Sequence, residues 1–344
     1  MLNAMNLSKN MGTQPLITMS KGIATKSGKT ALITGIGGQD GAYLAYLLAG
    51  KGYKIFGTSR DAGVSRFDSL ARLGVTGQVS MLSMAPNDFK STLTAISKSR
   101  PDEIYHLAGQ TSVGLSFEQP SETIESITIG TLNILESLRF LAMPARFYHA
   151  SSSECFGDTA GLSADEQTPF SPVSPYAVAK SAAHWLVRNY REAHKMYAAN
   201  GILFNHESEL RPARFVTQKV VQAAYRISRG SKETLTLGDL SMSRDWGWAP
   251  EYVDAMWRIL QADKAEDFVI ATGEANSLQD FVEQSFAFFG LNWVEHVQHD
   301  DQLKRPNEIP WSQGNPEKAK RILGWQASKL MRDVVKNLCD AQSA

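Results

Sequence analysis

The stretch KTALITGIGGQDGAYLAYLLAGKGYKIFGTSR, residues 29–60, leaves this chain few folds to choose from. TALIT is an apolar run of strand length. AYLAYLLAGKG carries apolar residues at helical spacing and closes on Gly52, and YKIFGT is a second strand. Between the first strand and the helix stand Gly35, Gly38 and Gly41. Glycines at that junction permit a tight turn, let a pyrophosphate approach the backbone, and bring helix and strand close together. The start of the helix then offers its N–H groups to phosphate. The spacing is G-x-x-G-x-x-G, so the strand–turn–helix setting carries the dinucleotide-binding reading more than the glycines do.

Such a unit needs neighbours to bury its faces. EIYHLAG and ARFYHASSS read as further strands, with helical stretches such as TLNILESLRFL between them. The alternation predicts an α/β fold, a Rossmann-type doubly wound parallel sheet covered by helices on both faces. Later in the chain GILFNHES, LTLGDL and DFVIATG are short strands among loops and helices, which predicts a smaller mixed α/β lobe assembled from Asn205 onward. The expected organisation is a disordered tail over residues 1–28, a dinucleotide-binding domain over 29–204, and a lobe for substrate over 205–344, with the chain crossing between the lobes. The first 29 residues contain no Asp, Glu or Arg. They lack both the arginines of a transit peptide and the apolar run of a signal peptide.

The end of the second strand bears on which dinucleotide binds. A carboxylate there would take a ribose 2′-hydroxyl, and an arginine a 2′-phosphate. The chain reads GTSRDAG: Ser59 and Arg60 come first and Asp61 follows, which favours NADP over NAD. Lys and Arg number 35, as do Asp and Glu. That balance argues against nucleic acid or an anionic membrane as the main partner, while leaving room for an anion held by a few arginines. No apolar run approaches the roughly 20 residues of a membrane span. Two cysteines, Cys155 and Cys339, are too few for a disulfide framework and fit a reducing, cytoplasmic setting.

PYAVAKSAAHW, residues 175–185, places Tyr176 and Lys180 on one helix face. Alone, the pair reads as surface packing. About two dozen residues earlier, FYHASSSECFG runs as a strand into hydroxyls and a carboxylate, and HLAGQTSV is another polar strand end. In an open parallel sheet the carboxyl ends of the strands line the ligand crevice. Polar strand ends converging there with a tyrosine and a lysine are hard to account for by packing.

These residues resemble the extended short-chain dehydrogenase/reductase superfamily, and within it the GDP-mannose 4,6-dehydratases. The resemblance runs from Lys29 to Gln342 and rests on TGIGGQDGAYLA, SSSECFG, SPYAVAK, NYREAHKMYAANGILFNHES, RDWGWAPEYVDAMW, DFVIATGE and GNPEKAKRILGW. It implies that Tyr176 is the base at the sugar 4-hydroxyl. Lys180 would lower the tyrosine pKa and hold the nicotinamide ribose. Ser152, where the family usually has threonine, would bond the 4-oxygen. Glu154 would take the C5 proton and then help the 6-hydroxyl leave as water. Asn205, Lys219, Arg244 and Arg305 match positions that hold the nucleotide diphosphate, and Ser112 a position facing the sugar. The implied substrate is GDP-mannose and the implied assembly a homodimer or homotetramer.

The chain departs from the family pattern in places. SRDAGVSR replaces a loop that often carries two adjacent arginines and reaches a neighbouring subunit, and Ala85 stands where an acidic residue usually lies near the adenine. ESELRP replaces ESPLRG, which could tune the sugar toward another GDP-sugar such as a manno-heptose. An epimerase or reductase of the same superfamily would share Ser/Tyr/Lys but need no base at Glu154. A non-catalytic NADP-binding regulator would be free to lose all four residues. His296, His299, Asp300 and Asp301 lack a complementary ligand set, so no metal is expected, and Cys155 reads as a small buried hydrophobe.

Overall fold

The computed structural model describes residues 28–303 and 306–343. Strand and helix alternate from the start: β1 Thr30–Thr34, α1 Gln39–Gly50, β2 Lys54–Ser59, α2 Asp68–Arg72, β3 Val79–Ser83, α3 Phe89–Ser99 and β4 Glu103–His106. There follow α4 Val113–Glu118, α5 Pro120–Ile124, α6 Gly130–Phe140, β5 Arg146–Ser152, α7 Pro175–His194 and β6 Ala198–Leu203. Shorter strands then appear: β7 Asn205–Glu207, α8 Val216–Ser228, β8 Leu235–Leu237, β9 Ser243–Arg244, β10 Trp246–Trp248, α9 Ala249–Gln261 and β11 Phe268–Ile270. The last elements are β12 Asn276–Ser277, α10 Leu278–Phe288, β13 Val297–His299, β14 Trp311–Ser312, α11 Glu317–Leu323 and α12 Met331–Ser343. The tail expected over residues 1–28 lies, apart from Gly28, outside the described residues.

Seven strands form one parallel sheet in the order β11-β6-β5-β4-β1-β2-β3. This is the doubly wound sheet expected from the alternation. The strand order reverses between β1 and β4, and a crevice opens at the carboxyl ends on either side of that point. Strands β4 and β6 are buried along their whole length and β5 along all but its first residue. That is why they read as runs of apolar and small residues rather than alternating ones.

The glycine turn is needed where it stands. Gly35 has φ +73°, and a Cβ there would lie 2.9 Å from the Ala108 backbone nitrogen. A Cβ on Gly41 would lie 2.5 Å from the Gly35 carbonyl oxygen. Any side chain at either position would push α1 off the sheet. Helix α7 is set at its start by Ser174, whose hydroxyl accepts the Ala177 N–H at 3.1 Å, with Pro175 in the first turn.

After β7 the chain builds a second hydrophobic cluster from α8, α10, α12 and the tryptophans of β10, with Val221, Trp246, Phe281, Phe286 and Leu338 at its centre. It does not stay there. Strand β11 returns to pair with β6, and α9 packs its Tyr252, Met256 and Ile259 into the cluster that holds α1.

Candidate active site

The carboxyl end of β5 delivers Ser151 and Ser152, and a short 3₁₀ turn, Ser153–Phe156, carries Glu154. The Ser152 hydroxyl accepts the Glu154 N–H at 3.3 Å, so one side chain fixes the start of the turn that presents the other. Helix α7 crosses behind and brings Tyr176 and Lys180 up to the same strand end. All four side chains line one cavity of about 440 Å³. Ser112, Asn205, Lys219 and Arg244 line it too, supplied by the start of α4, by β7, by α8 and by β9. Residues spread over more than 130 positions of sequence thus meet at one crevice, while Arg305 lies outside the described residues.

Burial sets the electrostatics. Lys180 is buried, its ammonium donates to the Ala150 carbonyl at 2.8 Å, and burial pulls its pKa down to about 8. The phenol of Tyr176 is pushed up by burial, against the pull of its hydrogen bond with Ser152, and the Glu154 carboxylate pushes the same way. Lys180 was expected to lower the phenol; in this structure desolvation dominates and the phenol is raised. The Lys180 nitrogen lies 5.8 Å from the centre of the Tyr176 ring, on the same helix face.

Gly35, Gly38 and Gly41 form the turn between β1 and α1 beside this cavity. Gly38 caps α1 in an extended conformation, with no side chain bonded to the first-turn N–H groups. A backbone cradle with no room for side chains and with its amides uncapped fits a pyrophosphate. At the end of β2, Ser59 Oγ lies 2.6 Å from Ser65 Oγ. Arg60 is largely exposed and 3.8 Å from Glu122. The Asp61 carboxylate accepts the N–H groups of Gly63 and Val64, at 3.0 and 3.3 Å, and closes its own loop. It is used locally, which leaves Arg60 as the charged side chain at that strand end.

Several cavity residues escaped the sequence reading. Asp40, inside the glycine turn, meets His206 Nε2 at 3.0 Å. Burial works to raise Asp40, but the His206 charge wins and holds its pKa down; burial works to lower His206, but Asp40 holds it up. Glu207, Arg211 and Arg214 follow on the same wall, and Glu308 lies 3.3 Å from the buried Arg244. The signal was present in the NHES run but had no partner visible in one dimension. Of the two departures within ESELRP, Glu209 and Pro212, neither lines the cavity, and the Glu209 carboxylate accepts the Tyr43 hydroxyl on α1. His299 bonds the Gly238 carbonyl and Asp301, at 2.9 and 3.0 Å, and His296 stacks on Phe286. Cys155 is fully buried, and burial raises its thiol pKa.

A family model described as GDP-mannose 4,6 dehydratase matches residues 32–338. The GDP-mannose 4,6 dehydratase 2 of Arabidopsis thaliana is 42% identical over 322 residues, covering 91% of this chain and 86% of that protein. The GDP-mannose 4,6 dehydratase 2 of Caenorhabditis elegans is 43% identical over 340 residues, covering 92% and 89%. Among solved structures, RMD from Pseudomonas aeruginosa complexed with NADPH superposes with a TM-score of 0.75 at 22% identity, over 91% of this chain and 98% of that one. The UDP-glucose 4-epimerase of Thermotoga maritima with UDP-glucose gives 0.81 at 20%, over 91% and 98%. At these identities the superpositions establish the fold.

Proposed function

The chain belongs to the GDP-mannose 4,6 dehydratase family, and from that premise we propose that it is a hydro-lyase. It converts GDP-mannose to GDP-4-keto-6-deoxymannose and water, with NADP recycled within each turnover. The observation that carries this reading is Glu154, a carboxylate on the same cavity wall as Ser152, Tyr176 and Lys180. Oxidation at C4 uses a hydroxyl, a phenol and a lysine; a second base is required only when a C5 proton must also leave.

The glycine turn and the start of α1 would hold the pyrophosphate of the cofactor, Arg60 its 2′-phosphate with Ser59 beside it, and Lys180 the nicotinamide ribose. A nicotinamide held there would supply the hydride acceptor for C4 and the hydride donor for C6. Tyr176 takes the proton of the 4-hydroxyl as that bond is oxidised, and Ser152 holds the oxygen in place. The resulting ketone acidifies C5–H. Glu154 removes that proton and hands it to the departing 6-hydroxyl, so one carboxylate serves as base and then as acid. Hydride return to C6 requires a proton at C5, and the one Tyr176 took from the 4-hydroxyl supplies it, which leaves both side chains as they began. Asn205, Lys219 and Arg244, with Arg305, would hold the diphosphate. In this reading residues 29–204 mainly bind cofactor and residues 205–344 mainly bind nucleotide sugar.

We place the protein in the cytoplasm, in keeping with two buried free thiols, and as a homodimer or homotetramer. Supporting the assembly, Ile124, Ile129, Val178 and Trp185 are exposed on α5, the turn after it and the neighbouring α7. Mass spectrometry of the purified protein incubated with NADP and GDP-mannose tests the function. Loss of one water from the sugar nucleotide is expected; unchanged GDP-mannose, or an isomer of equal mass, would refute it.

A further inference from the structure

Tyr176, Lys180 and His184 stand one helical turn apart on α7 and share the face turned to β5. They reach three consecutive residues of that strand. The Tyr176 phenol faces Ser152, which works to lower its pKa, the Lys180 ammonium donates to the Ala150 carbonyl, and His184 Nδ1 lies 3.2 Å from Ser151 Oγ. The chemistry proposed above uses the first two contacts and has no use for the third.

His184 is clamped more firmly than packing requires. The Asp267 carboxylate lies 3.7 Å from Nε2, too far for a hydrogen bond, but its field favours the ring proton on that nitrogen. Nδ1 is then left to accept the Ser151 hydroxyl proton. Asp267 is itself fixed by both terminal nitrogens of Arg191, each at 2.8 Å, and by Asn200 Nδ2 at 2.9 Å. Phe170 packs edge-on against the imidazole with ring centres 4.8 Å apart. Burial keeps the ring neutral, its pKa pulled down to about 4. A chain of contacts therefore runs from the edge strand, through the catalytic helix, to the strand that ends in Ser152.

We infer that His184 is a positioning residue: through Ser151 it pins the register of α7 against β5 and so holds Lys180 and Tyr176 where the cofactor and the sugar meet. This rests on the function proposed above. A helix of 20 residues can slide or rotate on a sheet by small steps. The bonds from Tyr176 and Lys180 lie in its first two turns, and both side chains must also serve ligands. His184 ties the next turn without that second duty.

The test compares wild type with H184F, H184Q, S151A and the S151A/H184F pair, in the full-length protein. Two readouts are taken: steady-state turnover of GDP-mannose and the Kd for NADPH from fluorescence titration. Phenylalanine keeps the ring volume but cannot accept the Ser151 proton. H184F should lose about 10- to 100-fold in kcat, the scale of a small misplacement of catalytic groups. KM for GDP-mannose should stay within about twofold, as expected when uniform substrate binding is untouched. NADPH binding should weaken several-fold through Lys180. Glutamine, whose amide oxygen can accept the same proton, should restore most of both. S151A should reproduce the H184F loss, and the pair should be no worse than either change alone, because both remove one bond.

Wild-type kcat and NADPH affinity in H184F would overturn the inference, as would equal damage from H184F and H184Q, or additive losses in the pair. If H184F does not fold, S151A decides from the other end of the bond. If wild type leaves GDP-mannose unchanged, the proposed function falls, and the NADPH titration still decides the pin.

Discussion

Three buried histidines sit beneath the cavity floor, and their neutrality has a consequence for stability. His106, His149 and His184 are all nearly inaccessible. Burial pulls His106 down to about 3 and His184 to about 4 from an ordinary 6.5, and moves His149 in the same direction, with the Lys180 charge adding to the effect at His106 and His149. A base whose folded pKa is depressed binds fewer protons folded than unfolded, so stability rises with pH and is lost as pH falls below the unfolded value. At pH 5 the unfolded histidine is almost fully protonated and the folded one is not. The cost relative to pH 7.5 is then set by the unfolded pKa and reaches about 2 kcal/mol for each of His106 and His184. That is a large share of a typical net stability of roughly 5–15 kcal/mol.

His106→Asn tests this at one site. Asparagine keeps a hydrogen-bonding atom for the Thr34 hydroxyl, which His106 Nδ1 meets at 2.8 Å, but does not titrate. The variant is expected to be less stable than wild type at every pH, since it loses ring volume. The informative quantity is the change in urea-unfolding free energy between pH 7.5 and pH 5. It should be smaller than in wild type by about 2 kcal/mol. An unchanged pH slope would show that His106 is not held neutral, and the reasoning from burial would fail with it.

Arg60→Ala should weaken NADP binding by roughly 1.5–3 kcal/mol, the scale of a charge-assisted hydrogen bond, and leave NAD binding nearly unchanged, as read by parallel titrations. Equal losses for both cofactors would remove Arg60 from the 2′-phosphate. Glu154→Gln should slow product formation by about 10²-fold or more while C4 oxidation continues, so reduced nicotinamide should accumulate in a single-turnover absorbance trace. Product at the wild-type rate would rule out Glu154 as the base. In the proposed role Lys180 works protonated, and burial sets its pKa to about 8 in the ligand-free protein, so kcat/KM should fall as pH rises through that value; a flat profile to pH 10 or so would contradict the assignment.

The central sheet was legible because its strands announce themselves locally. TALIT is β1 to the residue, and the strands read in YKIFGT, EIYHLAG and ARFYHASSS fall on β2, β4 and β5. GILFNHES was less so: it splits into the end of β6, which joins the main sheet, and β7, which pairs with β10 instead. Nothing in the run marks where the chain leaves one sheet for another. The site was legible in part for the same reason. Ser152, Glu154, Tyr176 and Lys180 belong to two short motifs whose elements are adjacent in the fold. Asp40 and His206 are separated by most of a domain and are joined only by the packing of α1 against the segment after β6. Asp61 could not be weighed fully from sequence, since a carboxylate after β2 suggests a ribose partner and only the structure shows it accepting the N–H groups of its own turn.

A chain with no net charge can still hold a dianionic ligand because charge is arranged rather than accumulated. Lys180, Lys219, Arg211, Arg214 and Arg244 face the cavity together with Asp40, Glu154, Glu207, Asp239 and Glu308. Among the described residues several of these meet in pairs: His206 with Asp40, Arg211 with Glu207, Arg244 with Glu308. Pairing fixes Arg211 and Arg244 at the cavity wall and offsets part of the cost of burying them.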